Sequence, residues 1–461
     1  MNKADAYSRY DIQTEPTENI VKVPSRFRVK VKRAKLLKLI VKEVVETKGN
    51  MAVTMSRPCM YGVFGRPVGG MAPVHEKCVG CLRCTVEHPD MVTVTRNPAP
   101  RPMQDSFITP DVVDTILYEA HNGHAPVKGA GYRGKFGGAG WDGMWLDMSE
   151  IVRPTRDGIH GREFVSTEVD IGYRPRYLSL DKDGRPMGDK PRVFSLMVPF
   201  IFEATPSAMA NRVMVESAKQ LHTLAVVPAP EVVRQGLADR HTVPLVTNAD
   251  LGTLDSLGSP RLVEIAGWDP DLFSKLSELV PGSLVGVRVP AYTDPVPLAE
   301  AGVPVIHLLA DHHGHAGDRF MLELIRAAHG RLVEAGLREQ VTLLGSGGMV
   351  MAEHMPKAIV CGLDAVGIDT AAWVALNASS DGACIDRANP GVTFPRAMTL
   401  DWGVRRMRNL TAAWRDQLLE ILGAMGLREV RRLRGEVGRC MFQAELENEA
   451  FGEIEGYVAR T

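Results

Sequence analysis

The run KCVGCLRCTVEHPDMV spaces Cys78, Cys81 and Cys84 evenly on one short stretch, with His88 and Pro89 behind them. Three thiolates on one tight loop can hold three corners of a cubane iron–sulfur cluster. The bacterial run C-x2-C-x2-C-x3-C-P places a fourth cysteine where His88 stands here. In two-cluster proteins that fourth cysteine serves the other cluster, so the ligand completing a given triad comes from a distant segment. Cys59 lies nineteen residues before Cys78, with Pro58 beside it, which suits such a ligand. The expected site is a 4Fe–4S cluster on Cys59, Cys78, Cys81 and Cys84. His88 as fourth ligand, a three-iron cluster, zinc and plain free thiols are the alternatives. Cys361, Cys384 and Cys440 stand alone and read as buried apolar side chains.

A second set of residues could hold a phosphate. GSGGM (345–349) follows a strand pattern and precedes a helical one, and GIDTAAW (367–373) does the same one unit later. In a (β/α)8 barrel the loops after the seventh and eighth strands form a phosphate site. Glycine lets the backbone approach the phosphate, and a helix N-terminus favours its charge. Ser346, Gly347, Gly348, Gly367, Asp369 and Thr370 are therefore expected to hold a phosphate-bearing cofactor such as FMN, with ordinary Gly-rich turns as the plain alternative. DHHGHAGD (311–318) follows the apolar strand VPVIHLL and reads as a substrate-side or flavin-side loop rather than a metal site. His313 and His315 are the candidates nearest a substrate. Arg288, in SLVGVRVP, would point from a strand end to the same face, where a cation stabilises an anionic reduced flavin. A surface salt-bridge role fits less well beside Val287 and Val289.

The elements that must position these residues are legible as two patterns. From about residue 193, short apolar runs (SLMVPFIF, TLAVVP, PLVTN, SLVGVRV, VPVIHLLAD, VTLLGSGG and AVGID) alternate with helical stretches such as DRFMLELIRAAHGRLVEAG. Such repeats imply a parallel α/β sheet, and about 200 residues of them suit a (β/α)8 TIM barrel, with an open doubly wound sheet as the competitor. Ahead of it stands a small ferredoxin-like iron–sulfur segment. The expected organisation is a basic tail with a strand and helix over 1–50, of which 1–20 is a poorly ordered tail. The cluster segment follows over 51–105, a Gly-rich connector over 106–190, the barrel over 191–400 and closing helices over 401–461. RFRVKVKR reads as a half-exposed strand and LLKLIVKEVVE as an amphipathic helix, together carrying the one strongly basic stretch. A solvated face is the plain reading of that stretch; a docking surface for an acidic partner is the other.

Composition narrows the classes. A length of 461 residues exceeds one small core, and a net charge of −1 points to neither nucleic acid nor a membrane. No apolar run reaches the roughly 18 residues of a spanning helix, and the polar start lacks a signal-peptide core. A cytoplasmic location is the expectation. Seven cysteines, three of them in one motif, favour metal binding in a reducing compartment over a disulfide framework.

Taken together, these residues resemble the FMN-binding domain of glutamate synthases, in particular the standalone archaeal-type form, over about residues 145–440. Arg288 in VRV matches the flavin-facing lysine of the family's strand. ADHHGHAGD (310–318) matches its S-G-H-D-G-G-T-G-A loop. SGGMVMAEHMPKAIVCGLDA and GIDTAAWVALN (367–377) match the two segments that follow. The ferredoxin-like N-terminal part fits the archaeal-type arrangement, and DQLLEILGAMGLREVRRLRG is similar to the closing helices. Departures accompany the match. NASSDGACIDRANPGVTF keeps only Cys384 where the family binds a three-iron cluster. AVVPAPEV and EIAGWDPDLF replace loops that surround the family's 2-oxoglutarate site, and no N-terminal cysteine glutaminase is present. The resemblance implies a glutamate synthase-like oxidoreductase subunit in which a 4Fe–4S cluster and FMN exchange electrons. It implies a redox partner or further subunits, a separate glutaminase among them, in an oligomer. A catalytically degenerate electron-transfer or scaffolding subunit is the alternative reading. A phosphosugar-type barrel enzyme is a weaker one, for want of an acid–base pair.

Overall fold

The computed structural model describes residues 10–64, 72–126, 137–148, 165–188 and 190–455. Eight parallel strands close into a barrel: β1 (Phe200–Phe202), β2 (Ala225–Pro228), β3 (Thr242–Val246), β4 (Leu262–Ile265), β5 (Leu284–Pro290), β6 (Val305–Leu309), β7 (Thr342–Ser346) and β8 (Ala365–Ile368). Each pairs with the next in sequence, and β8 returns to β1 with Val366 opposite Phe200. Runs of Val, Ile, Leu and Ala suit strands covered on both faces, and almost every residue of the eight is buried. The (β/α)8 expectation holds. The apolar runs marked seven of the strands; β4 escaped notice because Glu264 interrupts LVEI.

The barrel's N-terminal end is capped by an antiparallel hairpin of Val169–Tyr173 with Arg192–Leu196. Gly172 N–H donates to Thr342 Oγ1 at 2.8 Å, tying the hairpin to the start of β7. Chemistry is thereby left to the other end, where barrel active sites sit. GSGGM straddles the end of β7, and GIDTAAW that of β8.

Two helices brace one side. Leu400–Ala424 starts at an N-cap where Thr399 Oγ1 accepts from Trp402 N–H, and it packs on Ala208–Leu221 and on Pro110–Asn122. The stretch expected as a Gly-rich connector therefore opens with a helix, because VVDTILYEA spaces its apolar residues to cover these neighbours. Connector residues 127–136 and 149–164 lie outside the described residues.

The expectation of a poorly ordered tail over 1–20 needs correcting for its second half. Residues 1–9 lie outside the described residues, but from Tyr10 onward the chain is strapped across the helices. Glu15 N–H donates to Asn409 Oδ1 at 3.1 Å and Thr17 N–H to His121 O at 2.9 Å. Ile20 N–H donates to Asn377 Oδ1 at 3.0 Å. In return Arg406 Nη1 donates to Thr17 O and Trp402 Nε1 to Glu18 O, each at 2.8 Å. Buried side chains that lie far away in sequence satisfy this strap's backbone.

The cysteine segment has its own small core. Phe27–Val31 pairs antiparallel with Val92–Arg96, and the helix Arg33–Glu46 buries only Leu36 among its residues. Val29, Leu36, Val63, Phe64, Met91 and Val92 form an apolar cluster apart from the barrel's, with Cys59, Cys78 and Cys84 against it. The expected strand and helix are both present, and most of the lysines and arginines along them face solvent.

Candidate active site and cysteine cluster

At the C-terminal mouth of the barrel five buried side chains close a ring. Arg288, from β5, directs Nη1 and Nη2 to Glu203 at 2.8 and 3.1 Å and Nε to Glu264 at 2.5 Å. The other oxygen of Glu264, on β4, meets His307 Nδ1 at 2.8 Å. His307 Nε2, on β6, lies 2.6 Å from Ser346 Oγ, and Ser346 Oγ donates to Glu203 Oε1 at 2.7 Å. None of the five is more than 6% exposed. Burial alone would raise the Glu203 carboxyl, but Arg288, then His307 and Arg387, hold it down at about 2. Glu264 is likewise held low against its burial by Arg288 and His307. Arg288, against the cost of its own burial, is held firmly charged by both carboxylates.

Above the ring opens a cavity of about 750 Å³ whose wall includes Glu203, Arg288, His312, His315, Trp373 and Arg387. That volume lies within the roughly 300–1,000 Å³ typical of cofactor and substrate sites. Leu245, Val289, Leu309 and Pro206 give it apolar sides. Beneath the wall, Asp369 Oδ2 hydrogen-bonds with His312 Nδ1 at 2.8 Å and forms an ion pair with Arg387 Nη2 at 3.0 Å. Burial would raise Asp369, yet His312 and Arg387 keep it far below the ordinary carboxylate range. His312 Nε2 and Trp373 Nε1 are buried here without a hydrogen-bond partner among the described residues.

The expected site residues separate on this geometry. Arg288 and His315 reach the cavity. Arg288 is no free cation, however, because its donors are committed to two carboxylates. His313 turns to the N-terminal part of the chain: Nε2 meets Asp105 Oδ2 at 2.8 Å and the ring stacks on Phe107. It is absent from the cavity wall, since its neighbour His312 takes the inward direction. Ser346 belongs to the ring. Asp369 caps the short helix Thr370–Ala375 by accepting from Thr370 N–H at 2.5 Å, and Thr370 Oγ1 also donates to it.

Gly347 and Gly348 adopt φ of +123° and +72°, but not around an open cradle. A Cβ on Gly347 would stand 2.5 Å from Asp311 O, and one on Gly348 2.9 Å from Gly314 Cα. On that side the two glycines pack directly against the loop after β6. On Gly367 a Cβ would collide with Ser346 Oγ, so glycine there makes room for the ring. Glu203, Glu264, His307, His312, Trp373 and Arg387 are the residues that motif spacing missed. A charged or polar residue inside an otherwise apolar strand, as in LVEI and VIHLL, was the available signal.

In the cysteine segment the four thiols influence one another. Burial first, and then the thiols of Cys59, Cys78 and Cys81, push Cys84 up to about 11. Cys78 is raised by burial, and further by Cys59 and Cys81, against the Gly80 backbone N–H. Gly80 and Leu82 take positive φ of +71° and +56°, curling the loop that carries the triad. Cys59, Cys78 and Cys84 pack against the same small apolar cluster, and residues 65–71, between Cys59 and Cys78 in sequence, lie outside the described residues. His88 N–H closes the short helix Arg83–Glu87 on Cys84 O at 3.1 Å. Among the described residues no group of three or more His, Cys, Asp or Glu converges tightly enough for a metal ion.

The fold and the mouth define a (β/α)8 barrel protein with a charged cavity at its C-terminal face. Residues 310–428 match the conserved region in glutamate synthase. The archaeal-type glutamate synthase [NADPH] of Dehalococcoides mccartyi is 25% identical over 447 residues, covering 78% of this chain and 86% of that one. The archaeal glutamate synthase [NADPH] of Methanocaldococcus jannaschii is 36% identical over 121 residues, 25% of this chain and 24% of that one. The flavin-binding domain of baker's yeast flavocytochrome b2 superposes with a TM-score of 0.41 at 13% identity, covering 77% of this chain and 83% of that one. The chain is thus similar to glutamate synthases, over residues 310–428 in the family's conserved region and more distantly over most of its length. Among the described residues no helix is long and apolar enough to cross a membrane.

Proposed function

We propose that this chain is a glutamate synthase-like, flavin-dependent oxidoreductase subunit, with FMN at the barrel mouth and a 4Fe–4S cluster on Cys59, Cys78, Cys81 and Cys84. The observation that carries the reading is that the family-matched stretch 310–428 builds much of the cavity wall. His312, Trp373 and Arg387 line that cavity, two N–H-bearing rings and a guanidinium that suit an acceptor-rich planar ligand. When bound, FMN accepts electrons singly and passes on two as a hydride equivalent. Arg387, His312 and Trp373 would hold it, with Pro206, Leu245 and Val289 as apolar sides. The thiols beside Cys78 and Cys84 make those two harder to ionise, and a cationic iron core reverses that repulsion. A redox partner or further subunits, one supplying ammonia, would complete the system.

A second reading, a degenerate electron-transfer or scaffolding subunit, draws on the closed approach of Gly347 and Gly348 to the 311–314 loop. One experiment separates the two. Anaerobically purified protein should show flavin and cluster absorption together. No flavin in the spectrum, and no FMN binding by calorimetry, would leave the scaffold reading standing.

A further inference from the structure

Geometry fixes the hydrogen count of the buried ring. Ser346 has one hydroxyl hydrogen, and it goes to Glu203 Oε1 at 2.7 Å. With that hydrogen spent, the 2.6 Å contact between Ser346 Oγ and His307 Nε2 closes only if Nε2 carries a hydrogen. The 2.8 Å contact of His307 Nδ1 with Glu264 Oε1 needs a hydrogen on Nδ1, because a carboxylate only accepts. His307 then carries both hydrogens. Two carboxylates face one guanidinium and one imidazolium, and the ring is neutral as a whole. In the other solution Ser346 donates to Nε2, and Glu203 Oε1, still 2.7 Å from Ser346 Oγ, must hold a hydrogen itself. The two solutions contain the same hydrogens and differ only in where one proton sits.

We infer that the ring of Glu203, Arg288, Glu264, His307 and Ser346 stores one transferable proton and presents it to the cavity at Glu203. The step balances without electrons. The Nε2–H bond of His307 breaks as an O–H bond forms on Ser346 Oγ, while the original Ser346 O–H breaks and an O–H forms on Glu203 Oε1. The ring stays neutral throughout, so no net charge is moved into a low-dielectric interior. Only Glu203 and Arg288 of the five reach the cavity wall, and a guanidinium does not give up its proton in proteins. Glu203 is therefore the acid, and Ser346 and His307 are positioning residues behind it. Outside the ring, the charge acting on Glu203 is Arg387, itself paired with Asp369.

A ligand served by such an acid is a carbonyl or imine compound, whose oxygen or nitrogen takes a proton as its carbon takes a hydride. That last assignment rests on the oxidoreductase reading; the proton store does not.

The test uses the full chain labelled with 15N-histidine, without added ligand, near neutral pH. The His307 signal is identified by its loss in His307→Gln. Nitrogen–proton correlation should show hydrogens on both ring nitrogens of His307 in the unaltered protein. In Glu203→Gln, which removes the acceptor charge, the Nε2 hydrogen should be lost and the Nδ1 hydrogen kept. Hydrogen on one nitrogen only in the unaltered protein would overturn the store. Retention of both in Glu203→Gln would overturn the link through Ser346. Because the unaltered protein decides the first point, poor folding of a variant does not shield the inference. Absence of flavin would remove the oxidoreductase reading and leave this result intact.

Discussion

At the barrel mouth five side chains satisfy one another, none more than 6% exposed, inside a core that runs the length of the barrel. In the cysteine segment Cys59, Cys78 and Cys84 lie against a cluster of six buried apolar residues among those described, and the neighbouring thiols push Cys78 and Cys84 up beyond the effect of burial. The first region is complete without a guest. The second has groups that would repel one another if ionised, and it is short of apolar area to hold them. Reactive geometry in this molecule is thus maintained by internal pairing in one place and, on the reading above, by a bound cluster in the other.

The sharpest way to break that comparison is Arg288→Leu. It leaves Glu203 and Glu264 buried with their main counter-ion gone, and removing one partner of such a network costs about 3–5 kcal/mol. Urea unfolding should show that loss, and replacing Glu264 by Leu in the same protein should recover part of it. A loss below about 1 kcal/mol would mean that the ring does not hold itself together.

In the cysteine segment, Cys59→Ala should remove or convert the cluster, whereas His88→Ala should leave iron and sulfide counts unchanged. Electron paramagnetic resonance would show the conversion. An unaltered signal from Cys59→Ala would refute the four-cysteine assignment.

Acid should affect the barrel before it reaches the carboxylates of the ring. Burial holds His354 at about 4, and burial with Arg338 and Arg434 does the same for His329. The unfolded chain then binds protons first as pH falls from about 6.5, so stability is full above that value and declines towards pH 4. The contribution of Glu203, whose carboxyl is depressed to about 2, is present above its ordinary value of 4.5 and lost only as pH falls towards 2. A urea midpoint that stays flat between about pH 6.5 and 4 would contradict the histidine part.

The smallest effect belongs to the basic strand and helix. Charge reversal at Lys32 and Arg33 should slow cluster reduction by an acidic partner on the order of tenfold at low salt. It should do nothing at high salt, where exposed charges are screened. A salt-independent effect would point to damage rather than docking.

How far the molecule could be read beforehand depended on whether a residue followed its element's pattern. Seven strands announced themselves through continuous Val, Ile and Leu, and Cys59 could be picked out by spacing and a neighbouring proline. β4 could not, because Glu264 looks like a loop residue until Arg288 and His307 are seen on the next two strands around the barrel. His307 was passed over within an apolar run, and Glu203 just after one, for the same reason: a buried charge is recognised by its partner, and the partner is on another strand. Gly347 and Gly348 were read as room for a phosphate; a Cβ on either would also meet the 311–314 loop, a tertiary contact that no local motif encodes.

The strap over residues 10–20 carries a consequence for the order of events during synthesis. Its anchors include Asn377, Trp402, Arg406 and Asn409, which leave the ribosome hundreds of residues later. At ≈ 5–20 residues per second, the strap waits on the order of tens of seconds for its binding surface to exist. The first described segment to be made is among the last to dock, so the newborn chain carries an unclaimed leading end until the closing helix is complete.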